Sequence, residues 1–251
     1  MVDLKEFEQK AADLRVLGMK ISIGQDTVYE KYWDEDCRRN IYSASKSFTS
    51  CAVGFAVQEG LIDLDERLMD AFKEDIPNNP DENLKKATVK DLLTMTLGQE
   101  KGFLMGKQRP RMEEQNWVKA SLAIPFVYEP GTHFVYNNVG PYLAGILVQR
   151  RAGCDLLSYL TPRLLKPLGI RKTIWEVDPE GNTFGAGGLF LTVSELHKLG
   201  MFYLQNGCWN GKKLLSKEWI HESTRKQVEN NKNSYGYGYL FWGGRFLQFS
   251  G

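Results

Sequence analysis

The pattern of apolar and polar positions divides the chain into strand-like ends and a helical middle. Apolar residues recur at helical spacing over residues 3–15, which predicts a short amphipathic helix. Alternation over 18–23 and again over 27–32, with a turn at Gly24 between them, predicts a hairpin with one buried face. From 43 to 182 the pattern is almost wholly helical, and strand character returns only near the end of the chain.

Local sequence signals indicate where individual helices, strands and loops begin. Residues 88–91 and 192–195 each run from a threonine to an acidic residue three positions later, which predicts a capping box at the start of a helix. Large aromatic residues alternate over 235–242, which predicts a strand. Residues 101–114 show no periodicity and are predicted to form a mobile loop.

One predicted helix, running from Ser43 to about Gly60, is apolar on all sides over 51–57. Such a pattern is typical of a helix buried at the centre of a domain. Ser43 precedes Lys46 by three residues, so both side chains would lie on one face at the head of the helix.

This spacing suggests chemistry, because a serine hydroxyl becomes a nucleophile when a neighbouring base takes its proton. Lys46 can be that base if burial or nearby positive charge holds it neutral. The alternative is that Ser43 only caps the helix and Lys46 is a surface lysine. A second Ser-x-x-Lys, at Ser223 and Lys226, lies in a polar run predicted to be a solvated helix end, and we assign it no catalytic role.

Tyr136-Asn137-Asn138 is the only Tyr-x-Asn sequence in the chain. In an extended segment, residues two apart project to the same side, so Tyr136 and Asn138 would reach one site. A tyrosine near a lysine can have a lowered pKa and carry protons, and an asparagine oxygen can hold a lysine or a substrate amide. The alternative is that Asn138 caps the following helix and Tyr136 is a core residue.

Composition narrows the function classes. The 251 residues carry a net charge of +1 with no basic stripe, which argues against a nucleic-acid partner. The apolar run of the central helix is far shorter than the ~20 residues of a membrane span, and no signal segment opens the chain, so a cytoplasmic location is predicted. The four cysteines and three histidines show no metal-ligand spacing, and no metal or organic cofactor is predicted.

On its two motifs the chain resembles the serine β-lactamase and penicillin-binding-protein superfamily, in the branch of class C β-lactamase-related hydrolases and esterases. Ser43-Ala44-Ser45-Lys46 resembles the Ser-x-x-Lys of that family, and Tyr136-Asn137-Asn138 resembles its Tyr-x-Asn. Further similar phrases are spread over most of the length, at 57–65, 92–96, 129–134, 167–170 and 187–189.

The resemblance implies a fold of the α/β (α+β) class, with an antiparallel sheet flanked by helices and an inserted all-helical domain. Residues 1–42 and 183–251 would form the sheet domain, and 43–182 the helical one, with the active site in the cleft between them. The implied function is that of a serine hydrolase acting on a small-molecule amide or ester, such as a β-lactam, a D-amino-acid peptide or a small ester. Two alternatives stay open: a penicillin-binding sensor that acylates and stalls, and a degenerate scaffold that only binds.

The resemblance also implies roles for the site residues. Ser43 would form the acyl-enzyme, Lys46 and Tyr136 would move the proton, and Asn138 would position Lys46 and the substrate. The backbone N–H of Ser43 would supply one donor of the oxyanion hole.

The chain also departs from the family pattern. Met95 and Leu97 stand where members often have histidine and serine, and no third motif of the Lys-Thr-Gly, His-x-Gly or Gly-Gln kind occurs before Gly251. We therefore expect a C-terminally truncated chain of low activity, with the second oxyanion donor beyond residue 251. The strand predicted at 235–242 would then have an unpaired edge, which favours self-association.

Overall fold

The computed structural model describes residues 4–11, 13–231 and 234–243. Its α-helices are α1 (Lys5–Ala11), α2 (Ser45–Gln58), α3 (Leu68–Ala71), α4 (Glu82–Lys86), α5 (Val89–Thr94), α6 (Trp117–Leu122), α7 (Val139–Ala152), α8 (Leu156–Leu160), α9 (Val193–Leu204) and α10 (Lys217–Thr224). Its strands are β1 (Gly18–Ile23), β2 (Asp26–Tyr32), β3 (Arg39–Asn40), β4 (Phe190–Leu191), β5 (Cys208–Trp209) and β6 (Lys212–Lys213). Short 3-10 turns lie at Tyr42–Ala44 and Arg109–Arg111, and a π-helical turn at Thr161–Leu165 follows α8.

Helix α2 lies at the centre of the core, as its apolar sequence predicts. Of its 14 residues, 11 are buried, namely all of 45–56 except Ser47. It packs against α7 and α8, and α7 also packs against α5. The approach of α5 to α7 depends on Gly140, because a Cβ at that position would lie 2.3 Å from the Leu92 carbonyl oxygen. The core therefore surrounds the segment that carries Ser43 and Lys46.

Antiparallel pairing joins parts of the chain that are far apart in sequence. The predicted hairpin is confirmed as β1 and β2, and it packs against α9. Strand β3 pairs with β4, with Asn40 opposite Phe190. A bridge between Trp175 and Leu189 adds a third segment beside β4. Helices and antiparallel strands together confirm the predicted α+β class, and the backbone just before α2 is thereby tied to residues 174–191.

Both predicted capping boxes are confirmed, at Thr88 with Asp91 and at Thr192 with Glu195. The helix boundaries differ by a few residues from those predicted. Helix α2 begins at Ser45 rather than at Ser43, because residues 42–44 form a tighter 3-10 turn.

The strand predicted at 235–242 is wrong. The N–H groups of this segment do not form one ladder: Tyr237 donates to Val228, Tyr239 to Ser223 and Leu240 to Leu93. Leu240 adopts a left-handed φ of +64°, and the chain folds back so that Tyr237 bridges to Trp242. The alternating aromatic residues therefore pack in a compact turn. The expected self-association rested on an edge that this segment does not form, and association itself stays a prediction.

The loop predicted to be mobile at 101–114 contacts the core at a few positions, and its mobility stays a prediction. Leu104 is fully buried, with a left-handed φ of +56°. Arg109 lies in a short 3-10 turn and contacts Phe184 and Glu176. These contacts are single and irregular, so they follow neither helical nor strand spacing and leave no periodicity in the sequence.

The division into a sheet domain of 1–42 and 183–251 and a helical domain of 43–182 stays a prediction. In the part of the chain that the structure describes, no helix has both the length and the apolar character needed to cross a bilayer.

Replacing Gly140 by alanine is expected to lower the free energy of unfolding by about 1–3 kcal/mol, because the new methyl group would overlap the Leu92 carbonyl. Gly200 in α9 is the matched control, since a Cβ built there has nothing within 4 Å. G200A should leave the free energy of unfolding unchanged or raise it by up to ~1 kcal/mol. Urea unfolding followed by circular dichroism measures both, and an unchanged value for G140A would contradict the close packing of α5 on α7.

Candidate active site

Ser43 is exposed on the 3-10 turn that precedes α2. The residue before it, Tyr42, has a left-handed φ of +47°, which side chains other than glycine rarely adopt. Buried Ser45 stabilises this turn: its hydroxyl donates to the Tyr42 carbonyl at 2.6 Å and accepts from the Leu189 N–H at 3.1 Å. The turn thus presents the Ser43 hydroxyl to solvent from a backbone that is tied to the strand segment behind it.

Lys46 lies one turn after Ser43 and is almost completely buried, with 2% of its surface exposed. Its Nζ lies 3.2 Å from the Ser43 Oγ, 2.8 Å from the Asn138 Oδ1 and 2.6 Å from the Ala186 carbonyl oxygen. Among the described residues, no carboxylate forms an ion pair with it. The structure therefore rules out a surface lysine and brings Ser43, Lys46 and Asn138 together.

The pKa of Lys46 is lowered from its usual value to about 7. Burial is the main cause, because it removes water from the ammonium ion, and the positive charge of Arg109 adds to the effect. The lowered pKa is as the sequence predicts. Burial and nearby positive charge are the two conditions expected of a lysine base, and the charge comes from Arg109, which the sequence did not single out.

The contacts of Lys46 suit a neutral amine. Such an amine has two N–H groups and one lone pair, and two of its three neighbours, the Asn138 and Ala186 oxygens, accept hydrogen bonds only. If both N–H groups point to these oxygens, the lone pair is left to face the Ser43 hydroxyl. This arrangement can take up the hydroxyl proton, which is what a serine nucleophile needs.

The two neighbouring asparagines have different roles: one caps helix α7, and the other contacts Lys46. Asn137 caps α7, since its Oδ1 accepts from the Gly140 N–H at 2.9 Å. Asn138 makes no side-chain cap: its Oδ1 accepts from Lys46, and its Nδ2 donates to the Leu104 carbonyl at 2.9 Å. The alternative of a purely capping Asn138 therefore does not hold.

Tyr136 also faces Lys46, with the Nζ lying 5.2 Å from the ring centroid. The ring stacks on Trp242, with centroids 5.4 Å apart and planes 25° apart. The expected lowering of its pKa is wrong. Partial burial raises the pKa of Tyr136, and the neighbouring Ser43 hydroxyl offsets only part of this effect. At neutral pH the group is a phenol, which can pass a proton on but is not a resident base.

Backbone carbonyl oxygens of residues 184–187 lie beside Lys46 and accept hydrogen bonds from the surrounding side chains. The Trp175 indole donates to the Phe184 and Gly187 carbonyls at 3.1 and 2.8 Å, and Thr49 donates to Gly185 at 2.6 Å. The Ala186 carbonyl is the one that Lys46 uses. Sequence reasoning missed this contact, because a backbone carbonyl has no signature in residue type.

Arg109 was also missed. Its guanidinium lies 4.3 Å from the Phe184 ring centroid, and its Nη1 lies 3.2 Å from the Glu176 Oε2. The only local signal is a basic cluster around residues 107–111, which is more typical of a solvated loop. Its position over the site depends on contacts with residues 67 or more positions away.

The Ser43 N–H is the oxyanion donor that the family resemblance implies. The Ser43 N–H donates no hydrogen bond to any described residue, so it is free to bind a developing oxyanion. Residues 244–251, where the chain would approach the expected third motif, lie outside the described residues. Met95 and Leu97, at the positions where the pattern departs, are both buried.

The second Ser-x-x-Lys stays without a catalytic role, for a different reason than predicted. Ser223 is fully buried, and its hydroxyl donates to the Ile220 carbonyl, so it is not solvated. Lys226 lies beyond the end of α10 and pairs with Glu229. Among the described residues, no three His, Cys, Asp or Glu side chains lie together so that they could hold a metal ion.

The chain is similar in sequence to curated proteins of known activity. A monacolin J acid methylbutanoyltransferase from Aspergillus terreus is 31% identical to the chain over 157 residues, which are 55% of this chain and 37% of that protein. A lovastatin esterase from Penicillium rubens is 31% identical over 150 residues, which are 51% of this chain and 37% of that protein. The chain thus spans well under two thirds of the length of these relatives.

The fold has close counterparts among solved structures. The octameric penicillin-binding protein homologue from Pyrococcus abyssi superposes with a TM-score of 0.75 at 22% identity, covering 95% of this chain and 64% of that one. At this identity the match shows the fold alone, which is of the β-lactamase/transpeptidase-like kind. The sequence profile of the Beta-lactamase family matches residues 5–251, nearly the whole chain. The chain therefore belongs to the Beta-lactamase family, whose members include serine hydrolases and acyltransferases.

Proposed function

We propose that this protein catalyses acyl transfer from a small-molecule ester or amide through a covalent Ser43 intermediate. The observation that carries the proposal is the buried Lys46 amine, which contacts the Ser43 hydroxyl while two carbonyl oxygens occupy its other hydrogen-bonding directions. A structural lysine would gain nothing from lying in contact with an exposed serine, without a carboxylate partner, at a pKa near 7.

In the proposed first step, the Ser43 Oγ attacks the carbonyl carbon of the substrate as its proton passes to Lys46. The negative charge moves onto the carbonyl oxygen, where the Ser43 N–H supports it. The intermediate collapses, the bond to the leaving alcohol or amine breaks, and the proton returns to that group from Lys46 by way of the Tyr136 hydroxyl. Ser43 is left as an ester of the acyl group.

In the second step an acceptor removes the acyl group by the same sequence in reverse. With water as the acceptor, the reaction is hydrolysis and the products are the free acid and Ser43. With an alcohol as the acceptor, the reaction is acyl transfer. The similarity to a methylbutanoyltransferase supports this second candidate, and the similarity to an esterase supports hydrolysis. Both share the Ser43 intermediate, so the acceptor is the point to be tested.

A mass-spectrometric time course with a β-lactam and with a chromogenic ester tests the proposal. We expect a transient adduct on the peptide that carries Ser43, and released acid in water or transferred ester when an alcohol is added. S43A should abolish the adduct, and S223A should retain it, because Ser223 has no accessible hydroxyl. A persistent adduct would indicate a protein that acylates and stalls, and no adduct at all would indicate a binding scaffold.

Replacing Lys46 by arginine should lower the acylation rate about 10²–10⁴-fold, because a guanidinium keeps the positive charge but cannot accept the Ser43 proton near neutral pH. Single-turnover kinetics with the chromogenic ester measures the rate. Acylation of K46R at the wild-type rate would place the base elsewhere, and Tyr136 would be the next residue to test.

The acylation rate should rise with pH through about 7, because only the neutral form of Lys46 accepts a proton. R109Q removes the neighbouring charge, so the Lys46 pKa should rise and the acid limb of the pH profile should move to higher pH. The rate at pH 7 should then fall by more than the rate on the alkaline plateau. NMR titration of labelled lysine side chains reads the same pKa directly.

The matched control for this titration is R111Q, since Arg111 is exposed and lies on the same 3-10 turn as Arg109. It should leave the acid limb in place. An acid limb that R109Q fails to move would mean that the charge of Arg109 has no influence on the base.

A further inference from the structure

The backbone just before Ser43 adopts an unfavourable conformation and is hydrogen-bonded to a side chain of the preceding strand, β3. Tyr42 has a φ of +47° although it is not glycine, and its own side chain is exposed, so packing of its ring does not impose that angle. Its N–H donates instead to the Asn40 Oδ1 at 2.7 Å. Strain of this kind persists only where the surroundings impose it.

Asn40 is in turn held by a carboxylate. Its Nδ2 donates to the Glu176 Oε1 at 3.2 Å. The other oxygen of the same carboxylate, Oε2, accepts from the Arg109 Nη1 at 3.2 Å. The three side chains therefore run as one hydrogen-bonded chain from the loop over the site to the turn that carries Ser43.

The backbone leaves room for these hydrogen-bonded side chains. The Glu176 side chain lies across Gly188, which has a left-handed φ of +81°. A Cβ at Gly188 would lie 2.5 Å from the Glu176 Cβ and 2.6 Å from its Oε2, so only glycine permits the crossing. The Glu176 N–H also donates to the Gly188 carbonyl at 2.9 Å, which fixes the backbone from which the carboxylate reaches Asn40.

The Arg109 side chain is held more firmly than an arginine in a surface ion pair. The guanidinium packs on the Phe184 ring, and its Nε is buried without a hydrogen-bond partner among the described residues. An arginine on the surface would keep that Nε in water. Its burial indicates that the contacts with Phe184 and Glu176 hold the side chain in one place.

We propose that Arg109, Glu176 and Asn40 form a positioning chain that holds the Tyr42 backbone and so keeps the Ser43 hydroxyl against Lys46. The proposal rests on the function proposed above. These are positioning residues, because none of them touches Ser43. Without the Asn40 acceptor, Tyr42 can relax to a negative φ and the Ser43 Oγ moves away from the Lys46 Nζ. A displacement of about 1 Å at a reacting atom can cost about 10²-fold in rate.

The first part of the test removes the links of the chain. N40A and E176A should each slow acylation of Ser43 by the chromogenic ester about 10–100-fold. The double variant should lose no more than the slower single variant, because both act through the Tyr42 N–H. The acid limb of the N40A profile should stay where it is in the wild type, which separates lost positioning from the shifted base of R109Q. R111Q is the control with unchanged rate.

The second part of the test exchanges donor and acceptor in the hydrogen bond between residues 40 and 176. N40D alone places two carboxylates face to face and should be slow. In N40D/E176Q, the amide introduced at 176 can donate to the carboxylate introduced at 40, which still accepts from the Tyr42 N–H. The double variant should therefore recover at least tenfold over N40D. Melting temperatures of all variants identify any that fail to fold. If N40A fails to fold, the recovery of N40D/E176Q over N40D still tests the proposal.

The outcomes separate this proposal from the proposed function. No adduct on wild-type Ser43 would overturn both. A wild-type adduct together with N40A acylating within threefold of the wild-type rate would overturn the positioning chain alone. So would a double variant N40D/E176Q that acylates no faster than N40D while remaining folded.

Discussion

Burial of the Lys46 amine without a carboxylate partner is the constraint on which the rest of the site depends. An ammonium ion at 2% exposure loses nearly all of its hydration, and its three neighbours are a hydroxyl, an amide and a backbone carbonyl, none of which carries a charge. The charged form is therefore penalised, and the pKa falls to about 7. The fold gives up stability here for a group that is ready to accept a proton.

The sign of that cost follows from proton binding. The pKa of Lys46 is about 7 in the folded chain, against about 10.4 for an ordinary lysine in the unfolded one, so between these values the unfolded chain binds more protons. The cost is fully present below pH 7 and fades as the pH rises toward 10.4. At neutral pH it is on the order of a few kcal/mol, a large part of the stability of a typical domain.

Much of the core serves to keep this site dry and rigid. Helix α2 is buried on nearly every side, so the lysine at its head is almost completely shielded from water. The carbonyls of 184–187 are held from behind by Trp175 and Thr49, which fixes the oxygen that Lys46 uses. Asn138 can serve the site because its neighbour Asn137 caps the helix. Each contact removes one way in which the amine could relax away from Ser43.

The loop of residues 101–116 joins this site to the rest of the fold. The Leu104 carbonyl orients the Asn138 amide, and Arg109 places a positive charge close enough to lower the Lys46 pKa. Glu176 binds that arginine without neutralising its effect on the lysine. A segment without helix or strand periodicity therefore contributes to both the orientation of Asn138 and the lowered pKa of Lys46.

The sequence by itself determined what depends on neighbouring positions along the chain. Spacing three residues apart placed Ser43 and Lys46 in contact, capping boxes opened α5 and α9, and an all-apolar run predicted that α2 is buried. Tertiary structure alone decided the rest. It made Asn137 rather than Asn138 the cap, raised the pKa of Tyr136, turned the predicted strand at 235–242 into a folded turn and brought Arg109 to Lys46. Burial, backbone carbonyls and charges from distant segments decide these outcomes, and local periodicity carries no information about them.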